Sequence, residues 1–370
     1  MTLFDPLEQR GLRLRNRLVV SPMCQYSATD GLPDDWHLVH LGSRAVGGAA
    51  VVMAEATAVS AQGRISPGDT GLWNEAQQAA WQPITRFIKA QGAIAGVQLA
   101  HAGRKASALR PWEGHGALPA GQGDWPTVAP SALPFDAGWP APQALDAAGI
   151  RALVEDFRTA AQRALAAGFE LVELHAAHGY LLHQFLSPLS NQRTDDYGGS
   201  IENRARFLFE VVDAIAGEIG AGRTAIRISP VTPANDAFDP DPQPLFTHVV
   251  EGLARHGLAY IHVIEGATGG ARDHQQGDRP FDYAALHAAY RAAGGTAGWM
   301  VNNGYDRALA LDAVSSGKAD LVAFGKLFIA NPDLVKRLKD DLPLNAPDKD
   351  TFYGGGAKGY TDYPALENVA

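Results

Sequence analysis

Eight times along this 370-residue chain a short apolar run returns, closed each time by a polar residue, a glycine or a proline, and this recurrence constrains the fold most. The runs cover 18–21, 49–54, 95–99, 171–174, 224–228, 260–264, 299–302 and 321–324. They are apolar at nearly every position rather than at alternate ones. A strand of that kind is buried on both faces, as in a parallel sheet covered by helices. Between most of the runs lie helical patterns, such as 150–167 with Leu153, Phe157, Ala161, Ala164 and Leu165, and 201–219 with Phe207, Val211, Val212 and Ile215. Gly168 and Gly220 stop these two. The pattern predicts an α/β chain folded as a closed (β/α)8 TIM barrel, in a single domain spanning 1–370. An open doubly wound sheet is the alternative. It would want a glycine-rich phosphate turn after its first strand, and Val19-Val20-Ser21-Pro22-Met23 is not one.

Two stretches fall outside the repeat. Segment 101–142 follows the third run and carries seven prolines, six glycines and three of the seven tryptophans, too much for helix or regular strand. A loop of that length in a compact domain is usually a lid or a binding loop. The second stretch is the tail, 343–370, with Gly354-Gly355-Gly356-Ala357-Lys358-Gly359 inside it. That string matches G-x-G-x-x-G, but no strand precedes it and too few residues follow for a βαβ unit, so it marks no dinucleotide fold. Neither a P-loop motif nor G-x-S-x-G occurs.

The bulk properties exclude several classes. With 46% hydrophobic and 19% charged residues the chain can build a large core. A net charge of −9 is unsuited to a dedicated nucleic-acid or anionic-membrane binder. No run approaches the ~18 apolar residues of a membrane span. One cysteine, Cys24, permits no intrachain disulfide, and residues 1–5 lack a secretory leader's opening, so a cytoplasmic protein is expected.

In a barrel, chemistry gathers at the carboxyl ends of the strands. The residues there are Met23-Cys24-Gln25-Tyr26, Glu55-Ala56-Thr57, Gln98-Leu99-Ala100-His101, His175 to Tyr180, Arg227-Ile228-Ser229, Glu265-Gly266, Asn302-Asn303-Gly304 and Gly325-Lys326. An amide, an arginine, histidines and two glycine-associated turns at one mouth describe a pocket for an anionic or electron-rich ligand such as a phosphorylated cofactor. His175-x-x-His178 admits three readings: a metal pair short of a third ligand, two satisfied structural histidines, or two ring donors gripping a substrate oxygen with Tyr180 beside them as proton donor. Cys24 is either a small buried hydrophobe or a thiol at the site.

The run from Glu173 through His175-Ala176-Ala177-His178-Gly179-Tyr180 to Pro188, continued by Arg193-Thr194-Asp195-Asp196-Tyr197-Gly198-Gly199-Ser200-Ile201-Glu202-Asn203-Arg204, resembles the signature of the old yellow enzyme family of FMN-dependent ene-reductases. The similarity runs over essentially the whole length. It implies a flavoprotein oxidoreductase that binds FMN without a covalent bond. NADPH or NADH reduces the flavin, which then reduces activated C=C bonds of α,β-unsaturated carbonyls, nitroalkenes and maleimides. By the same resemblance His175 and His178 bind the substrate's oxygen, and Tyr180 is the acid that protonates the substrate. Pro22, Met23, Cys24, Ala56 and Gln98 line the flavin ring, and Arg227 sits beside its N1–C2=O edge. Asn303, Gly304, Gly325 and Lys326 hold the phosphate, while Tyr26 and Tyr353 wall the substrate pocket. Phenols are expected as ligands, and no metal.

The chain draws on two branches of that family. Pro22-Met23-Cys24-Gln25-Tyr26 and Gln98 to Lys105 resemble the thermophilic-like branch, whereas the tail from Phe352 to Pro364 resembles the classical, N-ethylmaleimide-reductase-like one. A recombined chain, natural or engineered, with a seam between about 130 and 227, would account for this, and it leaves monomer and homodimer both open. Ala100 stands where the classical branch has tryptophan, which widens the pocket, and Lys326 where arginine is usual, exchanging a bidentate fork for a point charge. Two other functions fit the bare residues: a metal-dependent barrel hydrolase using His175 and His178, and a non-catalytic flavin-binding or storage protein.

Overall fold

The computed structural model describes residues 1–366. It opens with a hairpin, β1 (Leu7–Gln9) and β2 (Leu12–Leu14), whose two-residue turn places Arg10 and Gly11 at positive φ, the geometry that suits tight hairpins. Then follow β3 (Leu18–Val20), β4 (Val51–Ala58) and β5 (Ile94–Ala100), the two-residue strands β6 (Val128–Ala129) and β7 (Gln143–Ala144), and β8 (Leu171–Ala176), β9 (Thr224–Ile228), β10 (Tyr260–Ile264), β11 (Gly298–Asn302) and β12 (Leu321–Phe324). Eight of these, β3, β4, β5 and β8 to β12, pair in parallel and close when β12 meets β3. They are the eight runs expected. Nearly all their residues are buried, as continuous hydrophobicity requires. Side chains such as Val19, Met53, Leu171 and Met300 fill the lower barrel, and the hairpin covers that end with Leu7, Leu12 and Leu14.

The helices are α1 (Asp35–Val46), α2 (Glu75–Ala90), α3 (Ala147–Ala166), α4 (Leu181–Leu186), α5 (Ile201–Ile219), α6 (Pro242–Leu253), α7 (Tyr283–Ala292), α8 (Arg307–Ser315), α9 (Lys326–Ala330) and α10 (Leu334–Asp340). Asp34, Asn74, Asp146, Ser200, Asp282 and Asp306 cap six of them by accepting from first-turn backbone N–H groups. Their apolar faces and the barrel's outer face share one core in which Trp81, Phe157, Phe207 and Phe246 are fully buried. None of the described helices is long and apolar enough to cross a membrane.

One strand departs from expectation. The second run extends to Ala58, and the register shifts between Ala54 and Ala56, a bulge that leaves Glu55 without a Cα partner. Glu55 therefore turns out of the ladder. Its carboxylate receives the Gln25 backbone N–H at 2.9 Å and meets His37 Nε2 at 3.0 Å, so it braces the loop after β3 instead of facing a ligand.

Both segments outside the repeat are anchored. In the long connection, Trp125 Nε1 donates to Gln62 O at 3.0 Å, and Lys105 Nζ lies 4.4 Å from the Trp139 ring centroid. The tail returns to α1. There the fully buried Arg44 donates to Phe328 O, Ile329 O and Tyr360 O, while the Tyr360 ring stacks on His40 at 4.8 Å. The last four residues of the expected tail lie outside the described ones.

Candidate active site

Because all eight barrel strands run the same way, their carboxyl ends share one mouth, and a cavity of about 510 Å3 opens there. Every residue that the sequence marks for cofactor, substrate or chemistry lines it: Pro22, Met23, Cys24 and Tyr26 after β3, Ala56, Gln98, His175, His178, Tyr180, Arg227, Asn303 and Gly304, Gly325 and Lys326, and Tyr353 from the tail. Other strand-end residues stay out of it, Glu55, Thr57 and His101 among them. Glu55 braces Gln25, Thr57 bonds Thr70 Oγ1 at 3.0 Å, and His101 accepts the Gly103 N–H at 3.0 Å. The bulge and the immediate turn after β5 claim these side chains for local backbone.

The histidine pair sits where β8 ends. His178 and Gly179 both have positive φ, 56° and 71°, so the chain doubles back before α4 begins and returns Tyr180 to the side of His175. Only glycine suits position 179. A Cβ there would lie 2.7 Å from Ala234 O. The His175 ring packs edge-on against His178 at 5.2 Å and Tyr180 at 5.0 Å. Burial, helped by the Arg227 charge, holds His175 down at about 3 and His178 well below the usual histidine range, so both are neutral imidazoles near pH 7. Burial raises Tyr180 well above the usual phenol range, which keeps its proton on. Among the described residues no group of three or more His, Cys, Asp or Glu is arranged to hold a metal ion.

Under the histidines lies a polar floor whose hub is Glu173, a residue that the sequence shows only as part of a motif. Its carboxylate accepts from Gln98 Nε2 at 2.8 Å, Tyr260 OH at 2.9 Å and His262 Nδ1 at 2.9 Å, and all four residues are buried. Arg227, next along the floor, donates from Nη2 to Asn302 Oδ1 at 2.9 Å, and Asn302 in turn donates to Ser21 Oγ at 3.1 Å. Arg227 Nε is buried and has no partner among the described residues.

At the opposite end, Asn303 and Gly304 form a turn with φ of 88° and 68°. The Asn303 side chain has protein partners at both ends: it donates to Glu265 O and Ala267 O and accepts from Gly269 N–H, pinning the loop after β10. That leaves the backbone of the turn, Gly325 and the Lys326 ammonium for an anion. Lys326 Nζ makes only a 3.5 Å contact with Gly269 O.

Burial, with the charges of Glu55 and Asp69 behind it, pushes the Cys24 thiol well above the usual range. The residue is a protonated thiol facing the cavity, which sets aside a thiolate nucleophile. Tyr26, Trp112 and Tyr353 form an aromatic rim, with Tyr26 6.3 Å from Trp112 and 6.0 Å from Tyr353. The loop after β3, the long connection and the tail thus meet at the mouth. Thr268 and Asn235 also line the cavity and bond to His178, the first to its ring and the second to its carbonyl. The sequence carries no sign of either, since both lie in loops of ordinary composition.

The sequence profile of the NADH:flavin oxidoreductase / NADH oxidase family matches residues 2–345. The chain belongs to that family. It is 38% identical over 374 residues to 12-oxophytodienoate reductase 1 of Oryza sativa subsp. japonica, covering 99% of this chain and 94% of the relative. An NADH:flavin oxidoreductase of Gibberella zeae is also 38% identical, over 98% of this chain and 92% of its own. Morphinone reductase, solved in complex with tetrahydroNAD, superposes with a TM-score of 0.87 at 36% identity, over 100% of this chain and 98% of that one. An old yellow enzyme homologue from Zymomonas mobilis superposes at 0.86 with 31% identity, over 99% and 100%. The chain is therefore an old yellow enzyme family member, an FMN-dependent oxidoreductase with a nicotinamide as reductant.

The residues present fit FMN. The partnerless buried Arg227 Nε supplies an N–H donor and a positive charge on the cavity floor, and the Gln98 amide, its Nε2 tied to Glu173, has its oxygen free of protein partners. Lys326 would provide the cation, and the Asn303-Gly304 turn the backbone, for a phosphate end.

Proposed function

We propose that this flavoenzyme reduces the C=C bond of α,β-unsaturated carbonyls, nitroalkenes and maleimides. The observation that carries the reading is the placing of two neutral imidazoles and a protonated tyrosine around one point of the cavity, with His175 touching both partners. Bound FMN, once reduced by NADPH or NADH, supplies hydride to the substrate's β-carbon. His175 and His178 offer ring N–H groups to the carbonyl or nitro oxygen, which withdraws electron density and makes the β-carbon electrophilic. Tyr180 then gives its hydroxyl proton to the α-carbon. Arg227 would offer its positive charge to the bound flavin, and Pro22, Met23, Cys24, Ala56 and Gln98 would hold the flavin ring in the cavity that they line. Tyr26 and Tyr353 bound the substrate, and segment 101–142 acts as the lid, bringing Trp112 to the rim. Phenols, which resemble the enolate and cannot be reduced, would bind to the same two histidines.

Anaerobic titration tests this. NADPH or NADH should bleach the yellow protein, and cyclohexenone, a nitroalkene or a maleimide should restore the colour with formation of the saturated product. Bleached protein that none of these reoxidises would refute the reading. Failure to bleach at all would refute the reductant assignment instead.

A further inference from the structure

The floor beneath the cavity holds its charges in balance. Glu173 carries one negative charge and Arg227 one positive, both are buried, and Glu173 is the first charge that acts on Arg227. The pair sums to zero. Hydride from the nicotinamide, which is two electrons and one proton, adds one negative charge to FMN bound in the cavity. Arg227 can answer that charge only in competition with Glu173. An uncompensated charge in a buried site is costly, and binding a proton removes the cost.

His262 offers the place for that proton. Its Nδ1 lies 2.9 Å from Glu173 Oε2. An ionised carboxylate only accepts, so Nδ1 carries the single proton of the neutral ring. Nε2 is then a bare lone pair, buried and without a partner among the described residues. The ring stands one layer below the cavity, since it shares Glu173 with Gln98 and pairs with Arg227 across the β9–β10 ladder, and both of those line the cavity. A proton on Nε2 would make an imidazolium whose carboxylate partner is already in place on Nδ1, a charge-assisted bond. His175 and His178 line the cavity too, but neither bonds a carboxylate among the described residues.

The titratable and charged groups that face His262 are Glu173 and His175 from β8, His178 just beyond β8, Arg227 from β9 and Tyr260 on its own strand, whereas its β11 partner Met300 is apolar. Burial, opposed by Glu173 and helped by Arg227, keeps His262 below the usual histidine range, so the ring is neutral near pH 7 while no further anion is present. An added negative charge acts in the opposite direction. We propose that His262 takes up a solvent proton on Nε2 when the bound flavin is reduced and returns it to solvent when the flavin is reoxidised. The balance is two electrons and two protons per turnover of the flavin: one proton enters with the hydride, the second goes to His262, and the oxidised nicotinamide leaves. The proposal needs bound FMN and no particular oxidising substrate.

Anaerobic potentiometry of the FMN-loaded enzyme counts the protons, because each proton taken up with two electrons lowers the midpoint potential by about 30 mV per pH unit. Wild type should follow the two-proton slope in a window that opens below ~6.5, the ordinary histidine value, and return to the one-proton slope at higher pH. His262→Asn, whose amide nitrogen can still donate to Glu173 but which cannot be protonated, should follow the one-proton slope throughout. Spectra of wild type carrying 15N-labelled histidine should show the His262 ring pass from neutral Nδ1–H to imidazolium inside the window when the flavin is reduced. A one-proton slope at every pH in wild type overturns the proposal. So does a two-proton window that survives in His262→Asn, which would place the second proton elsewhere, or a His262 ring that stays neutral in the reduced wild type. The spectrum is read on the wild-type chain, so it decides the matter even where His262→Asn fails to retain FMN.

Discussion

Replacing Glu173 by glutamine keeps the shape of the floor's hub and removes its charge. Three donors converge on this carboxylate, from Gln98, Tyr260 and His262, at 2.8 to 2.9 Å. Burial pushes the Glu173 carboxyl up, but the bonds from His262 and Tyr260 and the charge of Arg227 outweigh it and hold the group ionised below the usual carboxylate range. In Glu173→Gln the side-chain oxygen can still accept from one side, while the new amide N–H2 faces a donor on the other. Gln98 can resolve that clash by turning its amide over, which moves its oxygen from the cavity to the floor. A hydrogen bond to a charged group contributes about 1.5–3 kcal/mol and a neutral one about 1, so three weakened bonds cost on the order of 3 kcal/mol. Arg227 meanwhile loses its nearest counter-charge, and its full positive charge should favour the reduced, more negative flavin. Glu173→Gln should thus unfold at a lower urea concentration, bind FMN more weakly through the turned Gln98, and show a raised flavin midpoint potential. Urea titration, FMN release by ultrafiltration and spectroelectrochemistry measure the three. A variant with wild-type urea midpoint and potential would show that Glu173 is not a charged hub.

Tyr180→Phe deletes only the hydroxyl, so bleaching by NADPH should keep its rate. Reoxidation by cyclohexenone should slow by ~10²–10⁴, and that by nitroalkenes less, as stopped-flow on the separate half-reactions would reveal. Equal slowing of both halves would remove Tyr180 from proton transfer. Lys326→Ala should weaken FMN retention by ~1.5–3 kcal/mol, read as the dissociation constant of added FMN, and unchanged affinity would mean that Lys326 holds no phosphate. Acid should destabilise the fold: burial holds His101 and His175 at about 3 and His183 at about 4, below the ~6.5 of an unfolded histidine. Between those values the unfolded chain binds protons that the folded one refuses, so each histidine removes ~1.4 kcal/mol per unit as pH falls. Asp69, raised to about 7 by burial, works with the opposite sign from ~4 to 7 and cancels one of them. The urea midpoint at pH 5 should therefore lie well below that at pH 7, and equal midpoints would mean that the histidines titrate freely.

The sequence alone determined the barrel and the address of its site. Continuous apolar runs cannot be solvated on either face, so they pair in parallel under helices, and parallel strands must bring their carboxyl ends together. Those ends held most of the residues around the cavity, from Cys24 and Gln98 to Gly325 and Lys326, and the family resemblance singled these out from their neighbours and added Pro22 and Tyr353. Local chemistry also showed the stops at Gly168 and Gly220. What tertiary structure decided were the partners. The bulge that withdraws Glu55, the three donors on Glu173, the bond from Thr268 to His178 across 90 residues and the grip of Arg44 on Tyr360 O across 316 leave no trace in periodicity. Hydrophobic pattern is a property of each segment by itself. A hydrogen bond between segments has an angle and a distance that exist only after the barrel has closed, and those set the tautomers, charges and proton positions on which the chemistry depends.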